Sequence, residues 1–120
     1  MYESGENYLE TILVLSKRQG SVRSIDIARE LEYSKPSVSR AIGILKANGL
    51  ISVDRDGIIS LTNIGKSKAD NIYERHRLLT EFLVKTAGVR LKIAEIDACR
   101  IEHVVSEETI IGIKEYLQQY

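Results

Sequence analysis

A chain of 120 residues, 43% of them hydrophobic, has room for one compact domain or for a small module with a helical extension, and it is too apolar for global disorder. It shows no N-terminal apolar stretch of signal-peptide form and no run long enough to span a bilayer, so a soluble, cytoplasmic protein is expected; the single cysteine, Cys99, excludes an internal disulfide framework. Net charge is zero, yet Lys17 to Lys66 holds nine Lys/Arg against five Asp/Glu, preceded by three acids and no base. A basic module between acidic flanks is the footprint of a nucleic-acid-binding unit, although a solvated surface can carry the same surplus.

The first helix is expected from about Ser4 to Arg18. Tyr8, Ile12 and Leu15 share one face at i, i+4, i+7 spacing, and Gly20 stops it. Ser24 is placed to cap a short second helix, Ile25 to Glu32, with Ile27, Ala28 and Leu31 as its apolar side. Ser34 is another N-cap residue, and Pro36 follows in the first turn, where its missing N–H does no harm. The third helix then runs from Lys35 to Asn48, with Gly49 as a left-handed stop. Beyond it the hydrophobic period changes from helical to alternating. Leu50–Val53 and Ile58–Leu61 read as strands, joined by Asp54-Arg55-Asp56-Gly57, whose Asp-Gly pair signals a tight turn. Thr62 caps a long helix reaching to about Ala87, stopped by Gly88. A fifth helix is expected over roughly Lys92 to Val105. Ser106, followed by Glu107 and Glu108, starts a sixth.

Three helices followed by a two-stranded wing define a winged helix-turn-helix. The expected fold class is mainly α with a small β-wing: a winged helix-turn-helix DNA-binding domain over residues 1–62, then a helical dimerisation domain over residues 63–120. The apolar faces Ile93/Ile96, Ile110/Ile111/Ile113 and Tyr116/Leu117 exceed what a small DNA-binding unit can cover. A homodimer would bury them, two-fold symmetry being the commonest closed solution; helices folded back on the winged unit in a monomer are the alternative.

At 100° per residue, Val38, Ala41, Ile42 and Leu45 of the third helix fall on the inward side, and Ser37, Arg40, Gly43 and Ala47 on the outward side. Short outward residues permit close approach to a groove, and Arg40 can bond guanine O6 and N7 in bidentate fashion. Ser34, Lys35, Pro36, Ser37 and Ser39 sit near the helix start, where hydroxyls and free backbone N–H groups favour phosphate. Arg23 and the wing residue Arg55 are placed to add backbone contacts. The ordinary reading of Arg40 is a solvated surface arginine.

Cys99, Glu102 and His103 stand at i, i+3 and i+4, so all three are expected to project from one face of the fifth helix. A thiolate, a carboxylate and an imidazole together suit a borderline or soft divalent metal. Other elements must complete the sphere: Asn7 and Glu10 of the first helix and His76 of the long helix are candidates. Each residue also has an ordinary structural reading: Cys99 as core filler, Glu102 as a surface charge, His76 as a hydrogen-bonded core histidine.

The segment Asp97-Ala98-Cys99-Arg100-Ile101-Glu102-His103-Val104-Val105-Ser106 resembles the metal-site helix of the diphtheria-toxin-repressor family of iron- and manganese-dependent regulators. So does Glu6-Asn7-Tyr8-Leu9-Glu10-Thr11-Ile12 at the start of the chain. Ser34-Lys35-Pro36-Ser37-Val38-Ser39-Arg40 is similar to its recognition helix, and Arg75-His76-Arg77-Leu78-Leu79 to its histidine-bearing linker helix. The resemblance covers nearly the whole chain, and the length resembles the short manganese-regulator branch, without the SH3-like domain of the iron branch. It implies a metal-activated repressor that binds palindromic double-stranded operator DNA as a homodimer, away from any membrane, with Fe²⁺ or Mn²⁺ as activator. Zn²⁺ or Co²⁺ would substitute in vitro, following the Irving–Williams order. By the motif match, His76, Cys99, Glu102 and His103 are carried over as ligands.

The departures from the pattern are specific. Cys99 matches the iron type, where manganese-type members carry Glu, and this ranks Fe²⁺ slightly ahead of Mn²⁺; Glu10 matches the manganese type. Asn7 replaces an expected Asp or Met. Thr80 and Glu95 stand where the iron type has Glu and His in a second site, and Arg40 stands where it has Gln. The mechanism implied is a metal that ties the DNA-binding module to the dimer module and so fixes the separation of the two recognition helices. Three competing readings remain at this level: a metal-independent winged-helix regulator sensing a small organic ligand, a winged helix that binds only proteins, and, least supported, an enzyme. For the last, the chain shows no nucleophile–base pair and no Gly-rich phosphate loop.

Overall fold

The computed structural model describes residues 3–119, of which the side chains of residues 3 and 4 are left aside. Its elements are α1 (Glu3–Gln19), α2 (Ser24–Leu31), α3 (Lys35–Ala47), β1 (Ile51–Val53), β2 (Ile59–Leu61), α4 (Asn63–Ala87), α5 (Leu91–Ile101) and α6 (Glu107–Gln119). The chain divides into two compact units, residues 1–70 and 71–120, a division that falls inside α4.

In the first unit α1, α2 and α3 pack on one another, with α1 also against β2 and α3 against β1. Leu9, Ile12, Leu15, Val22, Ile27 and Val38 are the large side chains wholly withdrawn from solvent here. The strands pair antiparallel, Ile51 opposite Leu61 and Val53 opposite Ile59. The sheet has an addition that the sequence pattern does not reveal. Val22 bridges to Ile59, whose N–H donates to the Val22 carbonyl at 2.7 Å, so the α1–α2 connection runs along the wing.

Local chemistry explains the boundaries. Ser34 caps α3, its hydroxyl oxygen accepting from the Ser37 N–H at 3.3 Å. Gly49 and Gly57 adopt positive φ, ending α3 and closing the wing turn. In that turn the Asp54 carboxylate accepts from the Asp56 and Ile58 N–H groups, both at 2.9 Å. Thr62 accepts from the Gly65 N–H at 3.1 Å and donates to the Gly49 carbonyl at 2.7 Å, tying the start of α4 to the end of α3. Gly65 is required there for a different reason: a Cβ at this position would lie 1.8 Å from the Leu50 carbonyl oxygen.

Four expectations are corrected. Ser24 is the first residue of α2 rather than its cap; Arg23 is the N-cap, and its N–H donates to the Asp26 carboxylate at 2.9 Å. The strands are each one residue shorter at the start than the apolar runs. The amphipathic face assumed for α1 is too narrow, because every residue from Tyr8 to Leu13 is buried, Glu10 and Thr11 included. Finally, α5 stops at Ile101 rather than Val105.

In the second unit Leu79, Ala98, Ile110 and Ile113 form the core, with Leu78, Phe82, Ile101, Val105 and Leu117 packed against it. Phe82 and Tyr116 meet edge-to-face at 5.7 Å. Ser106 caps α6 as expected, accepting from the Thr109 N–H at 3.2 Å. Leu91, Ile96, Val104, Ile111 and Tyr116 remain exposed.

Candidate metal centre and nucleic-acid interface

The end of α5 is held by an arginine from α4. Arg75 Nη1 donates to the carbonyls of Glu102 and Val105, each at 3.0 Å, and Nη2 reaches the Glu107 carboxylate at 2.9 Å. The last carbonyls of a helix lack intrahelical partners, and a guanidinium fork supplies two donors at once. Glu102 still has right-handed helical dihedrals, φ −57° and ψ −26°, and its N–H donates to the Ala98 carbonyl. Its side chain therefore projects from the helix end rather than from a continuing helix, which alters the expected grouping: Cys99 is exposed on α5, whereas the Glu102 side chain has 0% exposure.

Around the Glu102 carboxylate stand two imidazoles. His76 Nδ1 lies 2.9 Å from Oε2, and His103 Nε2 lies 3.3 Å from Oε1. The second approach lacks hydrogen-bond geometry, and Oε1 is buried without a hydrogen-bond partner. The hydrogen bond to Glu102 raises the His76 pKa above the ordinary imidazole value; burial opposes the rise, and the charges of Glu102 and Glu95 add to it. A buried carboxylate with one unsatisfied oxygen is costly unless a cation completes it. Carboxylate and imidazole donors together suit a first-row divalent ion, so the residues present fit such a metal. Thr80 and Glu95 line one cleft with His76, and the Thr80 hydroxyl donates to the His76 carbonyl at 2.8 Å. In the first unit, Glu10 on α1 is buried, 9% exposed, and Asn7 is half-buried.

The other candidate surface belongs to α3. Val38, Ile42 and Leu45 are buried, as the periodicity requires, and Lys35, Pro36, Ser37, Ser39, Arg40, Gly43 and Ala47 are exposed. The two serines part company. Ser37 lines a cleft with Arg40, whereas Ser39 lines another with Lys35, Ser24 and Ile25, beside the start of α2. Ala41, expected to pack inward, is half-buried and lines the Arg40 cleft together with Ile44, Tyr8 and Tyr33. Tyr8 and Tyr33 meet edge-to-face at 5.8 Å. Arg55 stands exposed in the wing turn. Arg23 donates from Nη1 to the Asp56 carbonyl, which fastens that turn to the start of α2.

Sequence reasoning did not single out Arg75, Tyr33 or Ile44. A stripe count from Ser37 through Ala41 to Ile44 would have found the last. Nothing local marks Arg75, whose partners lie 27 to 32 residues away.

The architecture is that of a winged helix-turn-helix followed by a helical unit that carries a buried carboxylate–imidazole cluster. Two family models match in tandem. The iron dependent repressor N-terminal DNA binding domain covers residues 1–57, and the iron dependent repressor metal binding and dimerisation domain covers residues 62–120. The chain belongs to the iron-dependent repressor family. It is 34% identical over 115 residues to the transcriptional regulator MntR of Escherichia coli O157:H7, covering 96% of this chain and 74% of that protein. It is 32% identical over 108 residues to the diphtheria toxin repressor of Corynebacterium diphtheriae, covering 90% of this chain. The chain spans about half the length of that repressor, 48%. A manganese-dependent transcriptional repressor in complex with manganese superposes with a TM-score of 0.89 at 30% identity, over 95% of this chain and 52% of the other. Among the described residues no helix is long and apolar enough to cross a membrane.

Proposed function

We propose that this protein is a metal-dependent transcriptional repressor that binds palindromic operator DNA as a homodimer when loaded with Fe²⁺ or Mn²⁺, and so controls metal homeostasis. The observation that carries the reading is the Glu102 cluster: a carboxylate without exposure, set between His76 and His103, with one oxygen lacking a hydrogen bond. His76 and Glu102 are the ligands supported by geometry, and His103 is assigned on the sequence match and its place beside Glu102. Cys99, Asn7 and Glu10 are assigned to the metal on the sequence match. The exposed apolar residues of the second unit support dimerisation, since a two-fold contact would bury them.

On the DNA side, α3 enters the major groove with Arg40 reading guanine. Ser34, Lys35, Pro36, Ser37 and Ser39 lie at the helix start for phosphate contacts, and Arg23 and Arg55 flank the wing turn for the same purpose. When bound, the metal would supply a divalent charge to the buried carboxylate. The chain's own part is to hold that carboxylate, with Arg75 fixing the backbone on which it sits.

The test is DNA binding by the full chain at fixed salt, measured without metal and with Mn²⁺, Fe²⁺, Co²⁺ or Zn²⁺, using its own upstream region as probe. Metal is expected to tighten binding, and by linkage DNA tightens metal binding by the same factor. Glu102→Gln is expected to abolish the metal response, and Arg40→Ala to relax sequence discrimination while keeping it. Equal affinities with and without every metal would overturn the proposal and favour a sensor of an organic ligand.

A further inference from the structure

The stripe that α3 leaves open is Ser37, Arg40, Ala41 and Ile44, which share one cleft. Ser37 stands three and four residues before Arg40 and Ala41, and Ile44 four and three residues after them, so all four lie along one side of the helix. Ile44 is 44% exposed, the one large aliphatic side chain of α3 that is not buried. An isoleucine has neither donor nor acceptor, so it cannot read a base edge by hydrogen bonding. The apolar feature of the major groove is the thymine C5 methyl group. Ala41 places a second methyl beside Ile44, and Gly43 adds no bulk there, with nothing near the position its Cβ would take. The helix rises about 1.5 Å per residue, which sets Ile44 some 6 Å along the axis from Arg40. That is about two base-pair steps at ~3.4 Å each.

We propose that Ile44, with Ala41 beside it, is a specificity-determining contact to thymine methyl groups, about two base pairs from the guanine held by Arg40. The proposal rests on the DNA-binding reading above and adds the identity of a base that the operator must carry. It also separates Ile44 from Arg40 in kind, because the one reads shape and apolarity and the other hydrogen-bonding groups.

The test starts from a duplex selected out of a randomised pool by the full chain with Mn²⁺. Each thymine is replaced singly by deoxyuridine, which removes only the methyl group, and Kd is measured at fixed salt. At one or two thymines per half-site the wild-type chain is expected to lose about fourfold in affinity per methyl, the value of one buried carbon. Ile44→Ala is expected to bind the thymine and uracil duplexes equally, and Ile44→Val to keep part of the discrimination. Because Ile44 is exposed, both variants should keep the wild-type circular dichroism. A methyl effect that persists unchanged in Ile44→Ala, or a half-site with no methyl effect at all, overturns the proposal and assigns the cleft to another partner, such as a protein. Failure of the Mn²⁺-loaded chain to select any duplex overturns the DNA-binding reading itself.

Discussion

Replacing Arg75 with alanine removes three contacts at the junction of α5 and α6. Two are hydrogen bonds from a guanidinium to backbone carbonyls, those of Glu102 and Val105, at 3.0 Å. Hydrogen bonds to charged groups contribute about 1.5–3 kcal/mol each. The third is an ion pair to Glu107, whose side chain is 64% exposed while that of Arg75 is 16% exposed. An exposed pair of this kind contributes no more than about 1 kcal/mol. Water can reach part of the turn, since Val105 is only half-buried, so the lower end of these ranges applies. The expected loss is roughly 2–4 kcal/mol, read from urea unfolding by circular dichroism.

The same substitution frees the backbone that carries Glu102. Groups that orient a metal ligand are typically worth ten- to a hundredfold in metal affinity, so Mn²⁺ binding by Arg75→Ala is expected to weaken by at least about tenfold. Arg75→Lys keeps the charge but lacks the fork, and it should fall between the two. Unfolding within about 0.5 kcal/mol of wild type, together with unchanged Mn²⁺ affinity, would refute the positioning role.

Gly65→Ala forces a methyl group into the Leu50 carbonyl, so the start of α4 must move. A loss of about 1–3 kcal/mol is expected by thermal melting, and an unshifted melt would contradict the close approach. Ser34→Ala removes the cap of α3 and should lower stability by about 1 kcal/mol, checked by urea titration. In the metal-free protein His76 has a raised pKa, so its contribution is full below the ordinary imidazole value and is lost as pH rises through the folded value. The urea midpoint of metal-free protein is therefore expected to fall, as pH rises above the ordinary imidazole value, more steeply than that of His76→Gln, and parallel curves would refute the assignment.

Most of the fold was legible because its boundaries are set locally. Ser34, Thr62 and Ser106 cap the helices they precede in sequence, and Gly20, Gly49, Gly57 and Gly88 all take positive φ at the stops where glycine was expected. Two misses occur where a distant partner decides. The apolar spacing of Ile101 and Val105 continues the α5 pattern, yet the helix ends because Arg75 takes up the carbonyls there. Val22 joins the wing through a bond to Ile59 that no hydrophobic period announces. The residue types of the candidate cluster were legible, since Glu102 and His103 are adjacent and the chain has only two histidines. Their burial was not, because a glutamate with no exposure is indistinguishable in sequence from one on the surface.

That burial is also the strongest physical argument for function. A buried ion pair is often no better for stability than an apolar pair of the same volume. Glu102 therefore does little for the fold that a leucine or methionine could not do. What an apolar residue could not do is offer a carboxylate to a cation beside His76. The His76 imidazole is hydrogen-bonded to Oε2, which raises its pKa, while Oε1 is left without a hydrogen bond. A divalent ion held by Glu102 and His76 would compete with a proton for the imidazole. Metal affinity should then rise with pH over the interval in which the metal-free fold loses stability, a pairing of opposite trends that a purely structural histidine–glutamate bond would not produce.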